Sequence, residues 1–63
     1  MGEQMSHPTP NEVKQARLNA GLTQQSAADT VHVSIKTWQK WEAGTHPISG
    51  SAWELFKIKT KRK

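Results

Sequence analysis

The side chains best suited to recognition chemistry fall in one short stretch, Ile35-Lys36-Thr37-Trp38-Gln39-Lys40-Trp41-Glu42. Lys36, Gln39 and Lys40 are long and end in hydrogen-bond donors, and Gln39 carries an acceptor as well. On a helix, Trp38 and Trp41 share one face, while Ile35, Lys36, Gln39 and Lys40 fall largely on others. An apolar face that packs inward beside a polar and cationic face near a helix N-terminus suits entry into the major groove of a duplex. Base edges there offer donors and acceptors to such side chains.

Other chemistries find little support. There is no cysteine, no glycine-rich phosphate loop, and no carboxylate pair with a supporting histidine. A chain of 63 residues is also short for enclosing a substrate pocket. Catalysis, a cofactor and a small-molecule ligand are therefore not expected. His7, His32 and His46 lack the usual spacings of metal ligands, so no metal site is expected either.

Nine Lys and Arg against five Asp and Glu give a net charge of +4. That balance favours polyanionic partners, nucleic acid before acidic membrane surfaces, or simply aids solubility. No apolar run approaches the roughly 20 residues that span a bilayer. The N-terminus lacks a signal-peptide pattern, so no membrane partner is expected and the cytoplasm is the expected compartment. One small domain with neither disulfide nor thiolate metal site buries a limited core, and self-association is its expected support.

The elements that must position Lys36, Gln39 and Lys40 can be read from their ends. Thr9-Pro10-Asn11-Glu12 combines a hydroxyl cap, proline at the first helical position and a glutamate that completes a capping box. The helix it starts runs through Val13, Ala16 and Ala20, which share a face, and should stop at Gly21. Thr23, preceded by Leu22, begins a short second helix with Ala27, Ala28 and Val31 as its apolar stripe. Small alanines allow another helix to cross closely. Ser34 caps the third helix, which should end at Gly44. Only His32 and Val33 separate the second and third helices, and so short a connection forces them into contact at a large angle. Ser51-Ala52-Trp53-Glu54 repeats the capping-box pattern and predicts a fourth helix over about Ser51 to Thr60, with Ser49 as a rival cap. No segment alternates as a strand does. The expectation is an all-α, compact four-helix domain over residues 9–60, with residues 1–8 as a flexible arm and residues 61–63 as a basic tail.

Leu22-Thr23-Gln24-Gln25, Ala27-Ala28, Val33-Ser34, Trp38 and Trp41-Glu42-Ala43-Gly44, in this order and spacing, resemble the helix-turn-helix of the phage lambda- and Cro-type repressors, the XRE family. The resemblance covers about Val13 to Gly44, and the fourth helix loosely. It implies roles for single residues. Ile35, Lys36, Gln39 and Lys40 would read bases, with Ile35 limited to apolar contact such as a thymine methyl. Lys36 would donate to guanine, Gln39 would read adenine, and Lys40 would read guanine or hold the backbone. Gln24, Ser34, Thr37, Thr45 and His46 would contact the DNA backbone. Arg17 and Glu42 match an internal ion pair of the family that ties the first helix to the end of the third. One departure is His32, which stands where the family usually has glycine before Val33. Histidine there implies mild strain or a longer second helix.

Ala52, Trp53, Leu55, Phe56 and Ile58 spread apolar surface around more than one side of the fourth helix, which suggests a partner surface. A homodimer with Trp53 and Phe56 near its two-fold axis is the expected assembly. Its two recognition helices would meet half-sites about one DNA turn apart, on an inverted-repeat operator. The function expected on these grounds is a sequence-specific, double-stranded DNA-binding transcriptional regulator, a repressor that can act on its own operon. Small phage or mobile-element regulators, including those beside anti-CRISPR genes, and antitoxins are of this kind. The competing expectation is a protein–protein adaptor on the same scaffold. RNA binding ranks below both, since the chain has no aromatic stacking platform.

Overall fold

A computed structural model describes residues 8–61. Of the arm expected over residues 1–8, Met1–His7 lie outside the described residues, as do Arg62 and Lys63 of the basic tail expected over residues 61–63. Four helices follow in order: α1 (Pro10–Asn19), α2 (Gln24–Thr30), α3 (Ile35–Ala43) and α4 (Gly50–Thr60). No strand occurs among the described residues, and the fold is all-α.

The helix starts are set by local hydrogen bonds. Glu12 N donates to Thr9 Oγ1 at 3.1 Å and Thr9 N donates to Glu12 Oε1 at 2.8 Å, closing the capping box of α1. The Thr23 hydroxyl accepts from Ser26 N at 3.0 Å, and that of Ser34 from Thr37 N at 3.2 Å. At α4 the cap is Ser49, which accepts from Ala52 N at 3.2 Å, so the cap lies two residues before Ser51 and the helix begins at Gly50, one residue before the expected start. This choice puts Ile48 just before the cap and Trp53 at the fourth helical position, where apolar residues commonly flank a helix start. Ile48 is buried, so the loop itself contributes to the core.

Three helices end on a residue with left-handed backbone: Gly21 (φ 74°), His32 (φ 61°) and Gly44 (φ 86°). After α1, Leu22 N donates to Arg17 O at 3.1 Å and Gly21 N to Leu18 O at 3.0 Å. The end of α2 repeats the pattern, with Val33 N donating to Ala28 O at 3.0 Å and His32 N to Asp29 O at 3.2 Å. His32 thus fills the slot in a helix-terminating motif that glycine usually fills. Gly44 is needed twice over, because a Cβ there would also come within 3.2 Å of Pro10 Cγ.

The core is built around Trp38 and Phe56, both fully buried, with ring centroids 5.1 Å apart. Trp41 meets Trp38 edge-on at 5.5 Å. Ala27 and Ala28 are fully buried, and their small size lets α3 cross α2 closely. Val13 and Val31 complete the same cluster. The burial of Phe56 corrects its expected place at a dimer interface: Trp38 needs a large apolar neighbour on its far side, and Phe56 is that neighbour. Trp53 stays half-buried, stacked on Phe56 with planes 8° apart, and Lys57 Nζ lies 5.7 Å from its ring centre. Among the described residues, the large apolar side chains left exposed are Ile58 and Leu18.

Candidate nucleic-acid interface

The site rests on α2, the His32-Val33 connection and α3. With Trp38 and Trp41 fixed in the core, the pitch of the helix turns Lys36, Gln39 and Lys40 outward, and all three are exposed. Lys36, Gln39, Lys40, Ala43 and Thr45 line one shallow open depression. The structure therefore brings together three of the four residues expected to read bases, and adds Thr45 from the following loop. Ile35 is half-buried at the first position of α3 and is not among the residues lining that depression. Thr37 is also half-buried, and its hydroxyl lies 3.1 Å from that of Ser34, so the two expected backbone contacts form one hydroxyl pair at the start of α3. Thr45 Oγ1 donates to Lys40 O at 3.4 Å and lies at the same distance from His46 Nδ1.

Behind this face lies a polar network centred on Glu42. Arg17 Nε donates to Glu42 Oε2 at 2.6 Å and Arg17 Nη2 to Oε1 at 3.2 Å, a two-pronged ion pair. Arg17 Nη1 donates to Leu22 O at 3.1 Å, tying the pair to the loop before α2. The indole of the fully buried Trp38 donates through Nε1 to Glu42 Oε2 at 2.5 Å. Gln24 Nε2 donates to Glu42 Oε1 at 3.1 Å, and Gln39 Nε2 in turn donates to Gln24 Oε1 at 3.2 Å. One carboxylate thus joins α1, α2 and α3. Burial pushes the Glu42 carboxyl up, but hydrogen bonds from Arg17, Trp38 and Gln24, with the Arg17 charge, outweigh it and hold the group below the ordinary glutamate range.

The Arg17–Glu42 pairing was expected from sequence, whereas the parts played by Trp38, Gln24 and Gln39 were not. Trp38 and Glu42 are four residues apart on one helix, and a buried indole N–H needs an acceptor, so that contact was open to inference. The links to Gln24 join residues 15 and 18 positions apart and had no local signal. His32 is exposed, with Nε2 3.5 Å from Lys59 Nζ on α4.

Residues 11–56 match the family model of a helix-turn-helix domain, which takes in all of α2, the connection and α3. The chain belongs to the helix-turn-helix domain family. This helix-turn-helix chain is also 35% identical, over 54 residues, to the Type II methyltransferase M.MspI of a Moraxella species. The match takes in 86% of the chain but only 13% of that relative's length. Membership fits the geometry: two helices joined by a tight connection, the first bracing the second, whose outer face is free. None of the helices is long and apolar enough to cross a membrane among the described residues.

Proposed function

We propose that the chain binds double-stranded DNA in a sequence-specific manner as a transcriptional regulator of the lambda- and Cro-type, XRE class, acting where the DNA is kept. The observation that carries this reading is the division of α3. Trp38 and Trp41 anchor it from within, and Lys36, Gln39 and Lys40 offer donors on one outward surface. Base edges in the major groove are read by such groups, and lysines add attraction to phosphate. The reading assigns no catalytic step to these residues. A homodimer on an inverted-repeat operator is proposed because one short helix reads few base pairs, and two copies at fixed spacing multiply the discrimination. Its contact surface is proposed around Trp53, which the fold leaves half-buried on α4. Repression then follows from occupying a promoter.

The similarity to a Type II methyltransferase favours a second reading within the same chemistry, in which the domain serves such an enzyme by holding or regulating it at DNA. An adaptor role is the contrasting class.

The deciding experiment is a binding selection from a random duplex pool, followed by Lys36→Ala and Gln39→Ala. Each variant is expected to lose preference at its own base pair, and unchanged preference in both would refute the recognition-helix assignment. Absence of duplex binding at low salt would favour the adaptor. Sedimentation as a monomer at micromolar concentration, with and without DNA, would remove the dimer.

A further inference from the structure

The chain of donors from Gln39 through Gln24 to Glu42 has a direction, and that direction has a consequence for recognition. A side-chain amide can present its oxygen or its nitrogen to a neighbour by a half-turn, and a free glutamine does both. An ionised carboxylate is different, because it only accepts. Glu42 is held in its charged form by Arg17, with a side chain only 8% exposed. Gln24 must therefore turn Nε2 toward it, as the 3.1 Å contact requires. That leaves Gln24 Oε1 as the atom facing Gln39, and Gln39 must answer with a donor, as its 3.2 Å contact does. The reverse orientation of Gln39 would set two acceptor oxygens against each other.

We infer that Glu42, acting through Gln24, fixes which way round the Gln39 amide faces DNA and so makes adenine the base read at that position. This rests on the proposal that α3 reads the major groove. With one Nε2 hydrogen given to Gln24, Gln39 keeps Oε1 and its second hydrogen. That acceptor–donor pair matches the N6 amino group and N7 of adenine. Gln24 and Glu42 are positioning residues here, since neither needs to touch a base. The network also removes rotational freedom from an exposed side chain before binding, so less is lost on contact.

The test uses the full chain and the duplex found by selection, together with duplexes in which each base pair is replaced in turn. Gln39→Ala identifies the pair that Gln39 reads, where wild type should prefer adenine by about 5- to 150-fold, the range of one two-pronged base contact. Gln24→Leu and Glu42→Gln are each expected to lower that ratio by about 5-fold or more, the lower end of such a contact. Preferences at the pair identified by Lys36→Ala should stay as in wild type. Uniform weakening at all positions, with the adenine preference kept, would overturn the inference and leave Gln24 a backbone contact or a brace. If Glu42→Gln does not fold, Gln24→Leu decides alone. Side-chain nitrogen-15 relaxation gives a readout without DNA. The Gln39 amide should be more ordered in wild type than in Gln24→Leu, and equal mobility would count against the relay. Failure of the parent reading looks different: wild type would show no sequence preference, or Gln39→Ala would alter none.

Discussion

Replacing Glu42 by glutamine changes one atom and should unsettle three helices. Glu42 accepts from Arg17 twice, from Trp38 and from Gln24, at 2.5–3.2 Å. A glutamine has one oxygen. Its best placement faces that oxygen toward Arg17 Nε and Trp38 Nε1, and the new amide group then meets Gln24 Nε2 and Arg17 Nη2, donor against donor. Two of the four bonds are lost, and Arg17, with a side chain only 12% exposed, keeps its charge without a counter-ion. Removing one partner of a buried ion pair costs about 3–5 kcal/mol, and the retained amide oxygen brings the expectation here to about 2–3 kcal/mol. A domain of this size loses about 4–8 °C of Tm per kcal/mol, so the midpoint should fall by roughly 8–24 °C. Circular dichroism melts at neutral pH measure it, with Glu54→Gln as control. Glu54 pairs with Lys57 at 3.2 Å on the open surface, both side chains being half exposed or more. The same chemical change there should cost under about 0.5 kcal/mol. A Glu42→Gln midpoint within about 3 °C of wild type, less than 1 kcal/mol on that scale, would refute the structural role of the network.

Acid should act through the same group. Because the folded Glu42 carboxyl lies below the ordinary value of about 4.3, its contribution is complete above that pH and is lost as pH falls through the folded value. Urea midpoints should therefore drop more steeply below about pH 4 in wild type than in Glu42→Gln. Parallel profiles would contradict the assignment. His32→Gly should raise stability by about 0.5–1 kcal/mol, since a left-handed histidine costs more than a left-handed glycine. A lower midpoint would show that His32 contributes a contact worth more than its strain. Gly44→Ala should cost about 1–3 kcal/mol, combining the left-handed backbone with the close approach to Pro10. Ser49→Ala should cost about 1 kcal/mol and Ser51→Ala under about 0.5 kcal/mol, and equal losses would mean the α4 cap is misassigned.

Thr9, Thr23 and Ser34 were legible as caps because capping joins residues three apart, within reach of any local reading. The inward turn of Trp38 and Trp41 was legible for the same kind of reason, a spacing on one helix. Ser49 and Ser51 were harder to separate, since each is a hydroxyl residue able to accept from three residues ahead. What separates them is Ile48, which must reach the core from the loop, and that demand comes from the other helices. Phe56 illustrates the limit more sharply. The fourth helix has apolar residues on several sides, so its own pattern does not say which one faces inward. Only the position of Trp38 decides. His32 was legible as an oddity, and its left-handed backbone gives the oddity a cause: the motif that ends α2 places its backbone there whatever the side chain. Gln24 and Gln39 each read, taken singly, as a DNA contact, and their link to each other exists only because α2 and α3 cross there.

A carboxylate at the end of a helix whose outer face is cationic looks at first like a mistake, since on that face it would repel a polyanion. Its placement resolves the difficulty. Glu42 is turned inward and matched by Arg17, so its charge is spent inside, and Lys36 and Lys40 remain the charged groups that α3 turns outward. Nor is the pair readily exchanged for apolar side chains, as many buried pairs can be. Such an exchange would leave the Trp38 indole N–H without its acceptor in a fully buried position, and Leu22 O without its donor. Each such orphan costs about 1–3 kcal/mol. The tryptophan that anchors α3 therefore requires the glutamate, the glutamate requires the arginine of α1, and the donor face turned to solvent depends on all three.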